Sequence, residues 1–319
     1  MEKSKKLKIA ALVCGIVLLL GLLASIGVNI YLAYFNWDSY LQSTDEIYIM
    51  EAGILKNNLE FQDGEDFEFT YDFSHGDYAK LKEKYGLEKT AGEGSEFERA
   101  RRLMNKFAPR LKHKSDYDNH IEMRALSLLE YSFNNKKHGI NCRSKAQILN
   151  EACLALGIYS RKVWIMPNSV YDNDCHVVNE VWDGSLNKWI MLDITNNEYW
   201  VDENCTPLSV LEIRYKGATG EFCTPVGAGE KLKNLQKLKQ KNIGDFLYIM
   251  KNMTYTRYCE NYTVGESEKK LSLVPKNMQK DYNFIISEAA PTVSIIINYH
   301  IRLNSICCFF QPFPYFISP

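Results

Sequence analysis

Cys142, His176 and Asp193 have the residue types and spacing of a thiol nucleophile with its base and the base's orienter. The run Gly139-Ile140-Asn141-Cys142-Arg143-Ser144-Lys145-Ala146 reads as a turn, an N-cap at Asn141 and a first helical turn opened by Cys142. Apolar residues then fall at 146, 149, 153 and 156, so the thiol heads the buried stripe of a helix running to Gly157. A helix N-terminus carries partial positive charge and free N–H groups, which favour a thiolate and leave the Cys142 N–H free for a developing oxyanion.

The other two residues lie on a hairpin. From Cys175 to Ile194, apolar alternation flanks the turn signal Asp183-Gly184-Ser185. A turn centred between Gly184 and Ser185 sets His176 directly opposite Asp193, where a carboxylate can hold an imidazole. A pairing shifted by two residues makes them diagonal neighbours, which a rotamer change can bridge. A thiol activated by His, with the His oriented by a carboxylate, supports acyl transfer through a thioester.

These residues need a scaffold. Helices are expected at 78–85 and 96–107, from a capping box at Asn119 and Glu122 to Phe133, and at 236–252. Strands are expected at 65–71, 162–166, 175–182, 188–194, 254–262 and 270–274. The basic residues between Arg99 and Lys114 adjoin Glu96 and Glu98 and read as a solvated helix face. With 46% hydrophobic and 24% charged residues and a net charge of −1, the chain is ordinary for a globular protein and gives no reason to propose nucleic acid as a partner.

Lys3, Lys5, Lys6 and Lys8 precede an uncharged stretch from Ile9 to Tyr34, long enough to cross a bilayer and too long for a cleaved signal. No Lys or Arg follows until Lys56, which places residues 1–8 in the cytoplasm and the remainder outside. Tyr31, Tyr34, Phe35 and Trp37 would form an aromatic belt at the outer interface. The expected order is a basic N-terminus (1–8), a signal anchor (9–34), a stalk or approach segment (35–95), a catalytic domain (96–275) and a tail (276–319). From Pro291 the composition turns Ile-, Cys- and Phe-rich and does not continue the domain; a shifted reading frame is one origin for it.

Nine cysteines are present; Cys14 falls in the span and Cys307 and Cys308 are adjacent. Outside the cytoplasm, disulfides among Cys205, Cys223 and Cys259 are possible. The absence of a CxxC pair argues against structural zinc, and Cys175 beside His176 points to the opposite strand face, against joint metal ligation. Cys153 reads as core, as do Trp164, Trp189 and Trp200. Asn252 and Asn261 open glycosylation triplets of the kind that arise by chance.

The blocks Gly139-Ile140-Asn141-Cys142-(three residues)-Ala146 and Ala155-Leu156-Gly157-Ile158-(two residues)-Arg161-Lys162-Val163 resemble the cysteine helix and following strand of transglutaminase-like proteins. His176-(two residues)-Asn179-Glu180-Val181 and Trp189-Ile190-(one residue)-Leu192-Asp193-(one residue)-Thr195 resemble that family's histidine and aspartate strands, and the likeness covers roughly residues 97 to 202. It implies an α+β, papain-like transglutaminase-core fold, with N-terminal helices and a cysteine helix packed on an antiparallel sheet, here behind one transmembrane helix. It also implies Cys142 as nucleophile, His176 as base and Asp193 as orienter, in a bacterial-type membrane-anchored protein.

Val178 departs from the family, which often has Trp there; Trp182 is a candidate to fill the space. Asn179 is expected to be structural. Asn135 and His138 are candidates for a second oxyanion donor, and His120 for a place near the site. The reading is an extracytoplasmic thiol enzyme acting on a peptide or protein amide of the cell envelope, by hydrolysis or cross-linking, without cofactor or metal. Calcium serves animal cross-linking relatives, but nothing in this sequence marks a site for it. The alternative is a non-catalytic binding or scaffold module at the envelope; a third reading is a metal-dependent hydrolase using Cys175 and His176.

Overall fold

A computed structural model describes residues 2–64, 67–169 and 171–278, with the backbone of two short segments at 294–296 and 302–303. It divides into two units, residues 1–49 and 50–319.

The first unit lies within α1 (Glu2–Asn57), a helix that continues beyond the uncharged stretch to Asn57. Its segment Lys8–Leu32 has a mean hydropathy of 2.8 and is the one described helix long and apolar enough to cross a membrane. Leu18 is 75% exposed and Leu12 66%, an apolar surface suited to lipid. Of the expected aromatic belt, Tyr31 is exposed, while Tyr34, Phe35 and Trp37 lie outside the residues whose side chains are described.

The second unit is an α+β layer structure. Its helices are α2 (Asp77–Tyr85), α3 (Leu87–Ala91), α4 (Glu96–Phe107), α5 (Ala125–Asn134), α6 (Cys142–Leu154), α7 (Val210–Thr219), α8 (Leu235–Lys241) and α9 (Ile243–Lys251). Its strands are β1 (Glu68–Tyr71), β2 (Lys112–His113), β3 (Gly139–Ile140), β4 (Ser160–Met166), β5 (His176–Asp183), β6 (Lys188–Asp193), β7 (Glu198–Val201), β8 (Thr224–Gly227), β9 (Tyr255–Cys259), β10 (Asn261–Tyr262), β11 (Lys270–Leu273), β12 (Ser294–Ile296) and β13 (Arg302–Leu303). The main sheet runs β12-β11-β9-β4-β5-β6-β7-β8 and is antiparallel throughout except where β12 joins β11. Apart from Lys276–Met278, β12 and β13, the expected tail lies outside the described residues.

The cysteine helix is where the sequence suggests, with a different environment. Asn141 caps it, its side chain accepting the Ser144 N–H at 3.0 Å. It ends at Leu154, before the expected Gly157, because Gly157 takes the left-handed φ of +71° that closes the turn. An amphipathic stripe would leave one face in water, yet every residue from Ser144 to Leu154 is buried, the polar Lys145, Gln147, Asn150 and Glu151 included. The helix sits between β4 and β5 on one side and α2, α4 and α5 on the other. Thus α2 and α3, within the stretch read as an approach segment, pack into the layer around α4 and α6.

Buried polar groups on α6 are tied to neighbouring backbone. Glu151 accepts the Ala125 N–H at 3.0 Å and the Gly265 N–H at 3.1 Å, and Gln147 donates to the Gly265 carbonyl at 2.8 Å. This explains why α5 starts at Ala125 and not at the expected Asn119–Glu122 box. Its first N–H is capped from another helix, while Asn119 adopts φ +56°, which is not helical. The expected 236–252 helix is likewise broken at Asn242 into α8 and α9. On α4, Arg101, Arg102 and Lys106 are not simply solvated: they donate to the carbonyls of Ala228, Ala91 and Tyr85.

The hairpin register is shifted by two residues from the centred turn. Asp183 pairs with Lys188 and Trp182 with Trp189, so the loop holds four residues. Asp183 Oδ1 accepts the Ser185 and Leu186 N–H groups at 3.0 and 3.1 Å, and Asn187 takes φ +53°. The Asp183 side chain thus builds the longer turn, and His176 and Asp193 become diagonal neighbours. Along β5 the side chains alternate. Asn179 donates to the Ala146 carbonyl of α6 at 3.0 Å, the structural role expected of it, while Glu180 accepts the first N–H of α7.

Candidate active site

Cys142 stands at the first position of α6, delivered there by β3, which pairs with β2 in a small parallel ladder. His176 is the first residue of β5 and Asp193 the last of β6. Despite the diagonal register, His176 Nε2 lies 2.7 Å from Asp193 Oδ2. Cys142 also acts on the ring, raising it through a side-chain hydrogen bond and its charge, and with Nε2 on Asp193 the nitrogen left over is Nδ1. The structure therefore brings all three side chains together.

Asp193 is held by more than the imidazole. Its Oδ1 accepts the Thr195 and Asn196 N–H groups at 2.8 and 3.3 Å, and Oδ2 accepts Asn196 Nδ2 at 3.3 Å. This fixes the carboxylate before the imidazole arrives, so His176 meets a preset partner. His176 is 3% exposed and Asp193 fully buried. Burial works against a protonated ring, but Asp193 and then Cys142 outweigh it and raise His176 to about 10.

The surroundings supply groups that the motifs do not contain. Tyr248 of α9 sets its ring edge-on to His176, with centroids 5.5 Å apart, and its hydroxyl reaches Asp174 at 3.3 Å. Its ring thus covers one edge of the imidazole. Trp182 does not fill the space at Val178: it packs against Trp189 with Tyr71 and Tyr159, at the far end of β5. Glu198 faces Asp193 across the β6–β7 ladder, and burial and Asp193 push its carboxyl well above the usual range. Asp245 is raised for the same two reasons. Two further acids thus surround the pair in forms biased towards neutrality. Strand pairing offered a signal for Glu198, but nothing near position 176 pointed to α9.

The other named residues are placed elsewhere. His138 stacks on Tyr131 at 4.0 Å and its Nδ1 contacts the Tyr131 carbonyl at 2.7 Å. Asn135 accepts the Lys137 N–H at 2.9 Å, and His120 pairs with Asp118 against the edge of Tyr131. None of these bonds involves the site. A polar side chain that does reach the cap of α6 is Asn119, whose Oδ1 accepts Asn141 Nδ2 at 3.1 Å. Cys153 is fully buried and its thiol is pushed up to about 12 by burial, as a core residue should be. Cys205, Cys223 and Cys259 are free thiols, and Asn252 is buried with its amide on the Tyr248 carbonyl. Among the described residues no group of three His, Cys, Asp or Glu side chains is arranged to hold a metal ion.

The segment from 83 to 194, which contains all three site residues, matches the family model of the transglutaminase-like superfamily. This is a transglutaminase-like domain. No curated protein and no solved structure matches the chain. The matched segment begins in α2 and ends one residue after Asp193.

Next to the thiol, the transglutaminase-like domain is braced by an ion cluster. Arg143 Nε donates to Glu266 at 2.6 Å and Lys162 Nζ at 2.7 Å, with Lys270 3.6 Å away. Burial opposes ionisation of Glu266, but Lys162, Arg143 and Lys270 outweigh it and hold its carboxyl down at about 2. A carboxyl lowered on folding contributes stability above its unfolded value of 4.5, and that stability is lost as pH falls through 2. Glu266→Gln is therefore expected to cost about 3 kcal/mol at pH 7 and to flatten the acid limb of the thermal-unfolding profile between pH 5 and 2. An unchanged acid limb would remove Glu266 from this role.

Proposed function

We propose that this protein is a membrane-anchored thiol enzyme performing acyl transfer or hydrolysis at an amide, with Cys142 as nucleophile, His176 as base and Asp193 as orienter. The observation that carries the reading is the buried 2.7 Å contact of His176 Nε2 with Asp193, which leaves Nδ1 for the thiol. With the Cys142 proton already on His176, the thiolate attacks the amide carbonyl, and the imidazolium then gives that proton to the leaving amine. The Cys142 N–H, without an i−4 partner at the helix start, donates to the tetrahedral oxyanion. Water or a second amine resolves the thioester, and His176 takes the proton from whichever attacks. The proposed substrate is a peptide or protein amide at the cell envelope. The four N-terminal lysines, and the lack of Lys or Arg between the span and Lys56, support a cytoplasmic N-terminus and an external catalytic domain.

The test uses the full chain in detergent with p-nitrophenyl acetate. One p-nitrophenolate per chain should appear in a burst, with an acetyl adduct on Cys142 by peptide mass spectrometry and neither in Cys142→Ala. Added cadaverine captures the acyl group if amines resolve the thioester; its failure to do so assigns hydrolysis. A chain that folds and forms no adduct ends the proposal. Protease added to intact cells should cleave the domain, and full protection would reverse the proposed orientation.

A further inference from the structure

Lys145 follows Cys142 by three residues, so the two side chains project from the same face of α6. It is 2% exposed. Three other lysines or arginines are buried as deeply, and each has its partners: Arg161 pairs with Glu180 at 2.6 Å, Lys162 pairs with Glu266 at 2.7 Å, and Arg214 donates to the Met253 carbonyl at 3.0 Å. Its backbone N–H donates to the Asn141 carbonyl at 3.1 Å, but among the described residues its ammonium has no hydrogen bond and no ion pair. A side chain this enclosed, with no protein partner for its charge, needs another explanation for its position.

The charges around it supply one. Burial lowers the Lys145 ammonium, and Asp193 on β6 and Cys142 on its own helix pull it back. His113 on β2 is held down by burial, by Lys145 and by His176, so the nearest other base is biased towards neutrality. On the far side of Asp193, burial and Asp193 itself bias Glu198 and Asp245 against ionising. The ionised site then has two anions, Asp193 and the Cys142 thiolate, facing two cations, His176 and Lys145.

We propose that Lys145 is an electrostatic positioning residue for the thiol chemistry, its ammonium supplying the second positive charge that stabilises the Cys142 thiolate beside Asp193. Without it the thiolate forms beside the Asp193 carboxylate with the His176 imidazolium as its single counter-charge, so the thiolate–imidazolium form is stabilised less. The inference rests on the reading of Cys142 and His176 as the reacting pair.

The experiment follows iodoacetamide alkylation of Cys142, read at that peptide by mass spectrometry, from pH 5 to 10 on the full chain in detergent. Wild type, Lys145→Met, Lys145→Gln and His176→Ala are compared, with thermal unfolding of each. Lys145→Met should move the alkylation profile up by about one pH unit, slowing the reaction about tenfold on its acid limb. Its unfolding temperature should be unchanged or higher, since an apolar chain of similar length replaces an unpaired buried charge. Lys145→Gln should shift the profile in the same direction. Either variant folded with a wild-type profile overturns the proposal, and so does a failure of both to fold, which would make Lys145 structural. If His176→Ala loses the low-pH reaction while both Lys145 variants keep it, only this inference falls. If His176→Ala also keeps it, the reading of the reacting pair falls first.

Discussion

His176→Ala should slow alkylation of Cys142 at pH 6 by about a hundredfold and confine the reaction to alkaline pH. In the native site, Asp193 keeps the His176 ring protonated through the neutral range, against burial and up to about 10. An imidazolium beside the sulfur stabilises the thiolate, so the native thiol should still react at pH 6. Removing the ring leaves a thiol governed by the usual cysteine value near 8.5, of which roughly 0.3% is ionised at pH 6. The raw ratio is near 300, and the higher intrinsic nucleophilicity of the more basic thiolate returns part of it. Acyl transfer should suffer more than alkylation, by about 10²–10⁴-fold, because the imidazole also moves the proton to the leaving group. Linkage gives a second readout. A histidine raised on folding stabilises the fold fully below its unfolded value of 6.5, and that contribution is lost as pH rises through 10. The variant should therefore lose stability most at pH 6 and least above pH 10. Wild-type alkylation at pH 6 in His176→Ala would exclude the imidazole as the activating group.

The parts of the site that could be read from residues alone are those fixed by local rules. An Asn before Cys142, with periodic apolar residues behind it, sets the thiol at a helix start whatever the helix later packs on. Alternation along 176–182 and 188–193 places His and Asp on neighbouring strands. The register was misjudged because Gly184-Ser185 resembles a two-residue turn, while the Asp183 carboxylate, by accepting two backbone N–H groups, builds a four-residue one. The consequence was small only because an imidazole reaches a diagonal neighbour. What could not be read depends on contacts distant in sequence. The start of α5 is set by Glu151 from another helix, and the cover on His176 comes from Tyr248, far beyond the motifs. The stripe on α6 predicted a half-buried helix; burial on all sides follows from the layer of α2, α4 and α5 that no periodicity announces.

Glu180→Ala should be the most destabilising single substitution in the sheet, costing about 3–5 kcal/mol, while leaving the thiol chemistry of the folded fraction unchanged. Arg161 and Glu180 face each other across β4 and β5, each 1% exposed, with Arg161 Nε and Nη2 at 2.8 and 2.6 Å from Glu180 Oε2. The guanidinium lies over Trp189, 4.1 Å from the ring centroid, and over Tyr258 at 4.9 Å. The other carboxylate oxygen accepts the Val210 N–H at 2.9 Å and so caps α7. Truncation therefore strands a buried cation among aromatic rings and removes the acceptor of a helix N-terminus at once. Arginine does not escape by losing its proton, so the charge remains whatever the pH. For a domain of this size the loss corresponds to roughly 6–20 °C in unfolding temperature. The paired replacement Arg161→Met with Glu180→Leu removes both charges and should recover most of the stability, less the unsatisfied Val210 N–H. A Glu180→Ala variant melting within about 2 °C of wild type would contradict this account of the pair. The pair makes no contact with Cys142, His176 or Asp193, so the pH profile of Cys142 alkylation in the folded variant should match the native one. The thiol site is then separable from the ion pair that stabilises its sheet.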